Sequence, residues 1–183
     1  MKNLVLYQSK TGNTKKYAED IAKAINADIY PLKRFRIKKV RNYDNIIFGG
    51  WVMGGNIQGL NKFLADYELY MKDKNVIVFS VGMSYPNQQG REELISQNLL
   101  DLYHVRFYQF RGSFDINKLK FPYSWAMKRS IGMMANDPEQ AANYEQLQKI
   151  YDHPIEFYDQ AKVDKVISVI KSLEAQENKA SEA

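Results

Sequence analysis

No cysteine occurs anywhere in the chain, and that absence excludes disulfides, zinc ribbons, iron–sulfur clusters and thiol nucleophiles. It fits a reducing cytoplasm, where the protein is expected to reside. Histidine is nearly as scarce. His104 and His153 stand far apart with no nearby pattern of acidic ligands, which argues against a metal site built on imidazole, and no residue pair presents itself as a catalytic acid and base. Any redox chemistry therefore falls to an organic cofactor. Long apolar runs are missing too. Charges interrupt every hydrophobic stretch, none approaching the ~18 apolar residues of a membrane-spanning helix. Leu4 to Tyr7 is too short for a signal-peptide core. The expectation is a soluble or at most surface-bound protein.

What is present suits one folded domain. The 183 residues are 45% hydrophobic, and 26 basic against 21 acidic side chains leave a net charge of +5, which favours anionic partners without naming one. Up to about residue 110, short β-rich runs alternate with amphipathic stretches, the pattern of a parallel sheet covered on both faces. Strands are predicted at Asn3–Tyr7, Asp28–Leu32, Asp44–Gly49, Val76–Val81 and Val105–Phe110. Helical stripes are predicted at Thr14–Ile25, Leu60–Met71, Leu94–Leu102 and Val163–Leu173. The domain is taken as residues 1–174, with 111–160 an extension inside it and 175–183 a frayed tail.

The first strand runs into Gln8-Ser9-Lys10-Thr11-Gly12-Asn13-Thr14 and directly on into a helix. The unpaired N–H groups and positive dipole end at a helix start attract an anion, and Ser and Thr hydroxyls add donors suited to a phosphate. Gly12 lets the backbone approach, and Asn13 tolerates positive φ. The same residue types also serve as ordinary helix caps. Neither the Gly-x-x-x-x-Gly-Lys-Ser/Thr spacing nor Gly-x-Gly-x-x-Gly is present. Instead, Ser9-x-Thr11-Gly12-Asn13-Thr14 after a first strand resembles the FMN phosphate loop of the flavodoxin family.

That resemblance implies a doubly wound five-stranded parallel sheet in the order 2-1-3-4-5, with the ligand beyond the carboxyl ends of the strands, where the order reverses. The loops after strands 3 and 4 then flank a flat ring. They are Gly49-Gly50-Trp51-Val52-Met53-Gly54-Gly55-Asn56 and Gly82-Met83-Ser84-Tyr85-Pro86-Asn87, both bearing glycines and aromatics. By the same resemblance, backbone groups meet the flavin edge, with Gly54 or Gly55 able to reorient a peptide. Read as residues alone, Gly49 and Gly50 equally well end a strand while Trp51 packs in the core.

Two segments depart from the family pattern. Lys33, Arg34, Arg36, Lys38, Lys39 and Arg41 crowd one crossover. Flavodoxins are typically acidic, so this one is either a solvated basic face or a patch for an acidic redox partner or anionic membrane. Nucleic acid is disfavoured because no recognition signature accompanies the cations. Residues 111–160 are rich in Tyr, Trp, Phe and Met, and Pro122 is placed to open a helix with Tyr123, Ala126, Met127, Ile131 and Met134 on one face. That segment, 118–134, suits peripheral membrane contact, a cover for the site, or packing on the sheet edge. Together with the flavodoxin-like start, it is similar to the menaquinone-dependent protoporphyrinogen oxidase branch. The expectation is an FMN-binding redox protein exchanging electrons with a partner protein or a quinone. The alternatives are a quinone-linked oxidoreductase acting on a small molecule and a non-redox phosphate- or nucleic-acid-binding domain.

Overall fold

Runs of β-branched and aromatic residues bounded by polar turns set the strands. In the computed structural model, which describes residues 1–83, 86–113, 120–135 and 156–182, these are β1 (Asn3–Gln8), β2 (Asp28–Pro31), β3 (Asn45–Met53), β4 (Asn56–Ile57), β5 (Asn75–Gly82) and β6 (Val105–Arg111). They form one sheet in the order β2-β1-β3-β5-β6, parallel throughout, with β4 paired antiparallel to the end of β3. The five parallel strands keep the expected 2-1-3-4-5 order. The short β4 is the addition.

Alternation along the strands sends successive side chains to opposite faces. Leu4, Leu6, Ile46, Phe48, Val76 and Val78 join one core with Phe63, Leu64, Tyr67 and Leu94, and Phe48 stacks on Phe63 with ring centroids 4.7 Å apart. The alternate positions Val5, Ile47, Ile77 and Phe79 are fully buried with α1 (Asn13–Ala24), which inserts Tyr17, Ala18 and Ile21, and with Val163, Val166 and Ile170 of α6 (Gln160–Glu182). Each such aliphatic or aromatic burial contributes roughly 1.5–3 kcal/mol.

Three predicted helices differ from those observed. Leu60–Met71 forms two short helices, α2 (Leu60–Leu64) and α3 (Tyr67–Tyr70), broken at Asp66, yet Leu60, Phe63, Leu64, Tyr67 and Met71 are all buried. The apolar spacing survives the break. Helix α4 (Gln88–Gln97) starts earlier and stops before Leu99, which takes a left-handed φ of 52° and is exposed, as is Leu102. The C-terminal helix continues past Ala175, and its side chains reach back to the start of the chain: Asn3 Nδ2 donates to Glu174 Oε1 at 2.8 Å, and the N-terminal ammonium lies 3.9 Å from Glu177.

At the N-terminal edge of the sheet, Asn3, Asn45 and Asn75 stand in register on β1, β3 and β5. Asn75 Nδ2 donates to Asn45 Oδ1 (3.0 Å), Asn45 Nδ2 to Asn3 Oδ1 (2.8 Å), and Asn3 Nδ2 to the Ile25 carbonyl (2.8 Å).

The chain forms two compact units, one of Met1–Arg111 with Asp159–Ala183 and one of Gly112–Tyr158. In the second, α5 (Tyr123–Met134) exposes Trp125 and Met133, and Ser113 Oγ both donates to the Phe157 carbonyl and accepts from its N–H. In the first, the buried Tyr17 hydroxyl donates to the Arg111 carbonyl and accepts from the Asp159 N–H, each at 2.6 Å. Burial pushes this hydroxyl up to about 12 from an ordinary value near 10. Because the folded value is the higher, the stabilisation is complete below pH ~10 and is lost as pH rises through the folded value. Tyr17→Phe should lower stability at neutral pH by ~1–3 kcal/mol, since it removes both hydrogen bonds of a buried hydroxyl. It should also make the alkaline loss shallower, which urea melts across pH 8–12 would read.

Candidate functional site

Between β1 and α1 the backbone turns through Ser9–Gly12. Gly12 takes φ of 102°, and nothing lies within 4 Å of where a Cβ would stand. Glycine is there for conformation, since an L side chain is disfavoured at such φ. Asn13, expected to tolerate positive φ, is instead the first helical residue. Ser9 Oγ accepts the Gly12 N–H at 3.2 Å, Asn13 Nδ2 donates to Thr11 Oγ1 at 3.3 Å, and the Gly12 carbonyl accepts Lys16 N–H at 2.9 Å. Gly12, as the N-cap, has no side chain to cap the helix, and no acid occupies its first turn, so the helix itself supplies nothing to offset the positive end of its dipole. Ser9, Thr11 and Asn13 are half-buried, Lys10 and Gly12 exposed, and Thr14 buried. Hydroxyl donors, an open glycine and a helix start free of acids in its first turn fit a phosphate monoester.

Register brings the other predicted segments to the same edge. Gln8 pairs with Gly50 and Gly50 with Ser80, so the ends of β1, β3 and β5, and with them Ser9, Trp51 and Gly82, emerge together. Trp51 and Val52 are half-buried and Met53 exposed. Gly49 to Met53, read as loop, continues β3, and the turn comes only at Gly54 and Gly55, with φ of 55° and 76°. Gly50 belongs to packing, because a Cβ there would meet the Gln58 carbonyl at 2.8 Å as well as Ile57, and a Cβ at Gly49 would run into the Phe79 ring. Gly82 is not required by space, since a Cβ would make ordinary contact with Val52 at 3.7 Å. Met83 is half-buried, and its carbonyl accepts Arg111 Nε–H at 3.2 Å. Ser84 and Tyr85 lie outside the described residues.

Two residues that sequence reasoning missed hold the hairpin turn. Gln97 Nε2 donates to the Gly54 carbonyl (3.0 Å), Asn98 Nδ2 to the Gly55 carbonyl (2.8 Å), and Asn98 Oδ1 accepts the Ile57 N–H (2.8 Å). Their only advance signal is a pair of amides at the end of an apolar stripe. The peptides expected to reorient are thus held from α4, and Gly54 also accepts from Asn56 Nδ2 at 3.0 Å.

The basic crossover folds into short 3-10 turns, Leu32–Arg34 and Ile37–Asn42, with Leu32 and Val40 buried and all six cations exposed. Of the stretch 118–134, the part before Lys120 lies outside the described residues. Within it α5 starts after Pro122 as expected, and the Arg129 guanidinium sits 5.6 Å from the Trp125 ring centroid. No helix among the described residues is long and apolar enough to cross a membrane.

Comparison with known proteins adds family membership. Over 97 residues the chain is 38% identical to an uncharacterized protein of Methanocaldococcus jannaschii, a match covering 51% of this chain and 63%, less than two thirds, of that protein. Among solved structures it is similar to oxidised Flavodoxin 2 from Bacillus cereus (21% identity, 61% of this chain and 84% of that one, TM-score 0.47). It is also similar to two-electron reduced Megasphaera elsdenii flavodoxin (18% identity, 60% and 84%, TM-score 0.46). The flavodoxin domain family matches residues 4–145. With that span covering most of the chain, and with the strand order and β1-to-α1 loop described above, the protein belongs to the flavodoxin domain family.

Proposed function

We propose that this protein binds FMN noncovalently and transfers electrons through it, between partners that include a redox protein or a quinone. The observation that carries the reading is the start of α1, opened by Gly12 in the left-handed region with Ser9 and Thr11 hydroxyls beside it and no acid in its first turn. When bound, the flavin supplies the redox chemistry. The chain binds and orients. First-turn N–H groups and the Ser9 and Thr11 hydroxyls hold the phosphate, and Gly12 leaves room for it. Trp51 to Gly55 and Gly82–Met83 border the ring, where Gln97 and Asn98 fix the hairpin backbone.

Purified protein is expected to be yellow, and mass analysis after denaturation should identify FMN. Colourless protein that takes up no added FMN would end the proposal. Thr11→Ala combined with Thr14→Ala should weaken FMN binding about tenfold or more through lost charge-assisted hydrogen bonds, read by fluorescence titration with folding checked by circular dichroism. Because Thr14 is buried, Thr11→Ala alone is the control, with a smaller loss in the same direction. Unchanged affinity would place the phosphate elsewhere.

A further inference from the structure

A cleft of about 620 Å³ runs along the outer edge of β6, beside the start of α4 and the first turns of α6. In the order β2-β1-β3-β5-β6 two strands separate β6 from β1, so this cleft is not the phosphate loop. Its walls carry Arg91 from α4, Arg106 from β6, and Lys162 and Lys165 from α6. None of the four makes an ion pair among the described residues. The acids nearest in sequence are engaged by neutral neighbours, Glu92 by Gln88 at 3.0 Å and Asp164 by Gln160 at 2.7 Å. Like charges gathered in one cleft raise its potential and favour a multiply charged anion over a single one.

Two further features point to a ligand. Asn87 Oδ1 accepts the Gly90 N–H at 2.7 Å, so α4 opens on the cleft with a formed cap and no acid in its first turn. Beside it, Gln109 lines the cleft, is only 8% exposed, and leaves Oε1 without a hydrogen-bond partner. Its amide nitrogen lies 3.6 Å from where a Gly90 Cβ would stand, so the side chain points toward the start of α4. Unsatisfied buried amides are rare in native proteins. Arg91 is already steadied, with its guanidinium 5.8 Å from the Phe107 ring centroid and one nitrogen donating to the Phe107 carbonyl at 3.4 Å.

We propose that this cleft is a second binding site, for a phosphorylated small molecule of nucleotide size. The volume falls in the range of small-ligand pockets, roughly 300–1,000 Å³. The lysines at 162 and 165, one helical turn apart, and the two arginines match phosphate oxygens. The Gln109 amide meets a polar edge of the remaining group.

Calorimetric titration of the full-length protein, loaded with FMN, against ADP and inorganic pyrophosphate tests this. Both probes should bind. Lys162→Ala/Lys165→Ala should weaken both at least tenfold, Gln109→Leu should weaken ADP more than pyrophosphate, and Thr11→Ala/Thr14→Ala should leave both unchanged. Circular dichroism confirms that each variant folds. The same titration on FMN-free protein carrying Thr11→Ala/Thr14→Ala keeps the test independent of the flavin proposal. No binding at millimolar probe, binding indifferent to the lysine variants, or an acidic peptide of poly-glutamate binding more tightly than ADP would each overturn the assignment, the last by giving the cleft to a protein partner.

Discussion

Asn45→Leu is expected to lower the melting temperature by roughly 6–12 °C, a loss of about 3 kcal/mol when one buried and one half-buried partner are orphaned. Asn45 is fully buried, and both ends of its amide are used, Nδ2 toward Asn3 Oδ1 and Oδ1 toward Asn75 Nδ2. Leucine matches its size but accepts and donates nothing. The Asn3 oxygen then remains desolvated, and the Asn75 nitrogen partly so, with no exchange in return. Asn75→Leu should cost about half as much or less, because Asn75 is half-buried and ends the ladder. The order of the two variants matters more than either value. If Asn45→Leu melts within about 2 °C of wild type, the ladder adds nothing beyond what packing supplies.

The second large effect is expected at Gly49. An added Cβ would enter the ring of Phe79, which is fully buried and stacked on Phe110 with centroids 5.0 Å apart. The ring has nowhere to go. Gly49→Ala should therefore destabilise by ~1–3 kcal/mol or more, as overpacking does in a dense core. Gly49→Ala/Phe79→Leu should recover part of the loss, since the smaller side chain vacates the space. Thermal melts give the stability, and FMN uptake per folded molecule gives the second readout. The variant should bind as wild type does. A variant of normal stability that fails to bind FMN would show that this glycine serves the cofactor instead.

Gly49 also marks where sequence reasoning stopped. Local features were readable: the strand, the turn and the helix of Ser9–Thr14 lie next to one another in the chain, and helix starts obey short-range rules. The parallel order was readable because buried runs such as Val76–Val81 carry their own pattern. By contrast, whether Gly49-Gly50 is loop or strand depends on Phe79 and Ile57, which no spacing rule connects to it. The same holds at Gln97 and Asn98, where side-chain bonds to the β3–β4 turn and a left-handed Leu99 end a helix that apolar spacing alone would have carried to Leu102. The cleft beside β6 was invisible for a related reason. Its four cations come from three separated segments, whereas the conspicuous run Lys33 to Arg41 is simply exposed.

The Tyr17 hydroxyl holds the residue where the chain departs after β6 and the residue where it returns before α6 within one shared pair of hydrogen bonds. To the sheet, everything strung between those two anchors is a closed loop. Its entropic burden grows only as the logarithm of its length, ~0.6 kcal/mol for each doubling. The host can thus carry a guest of quite different size, or exchange it for another, without re-threading a single strand.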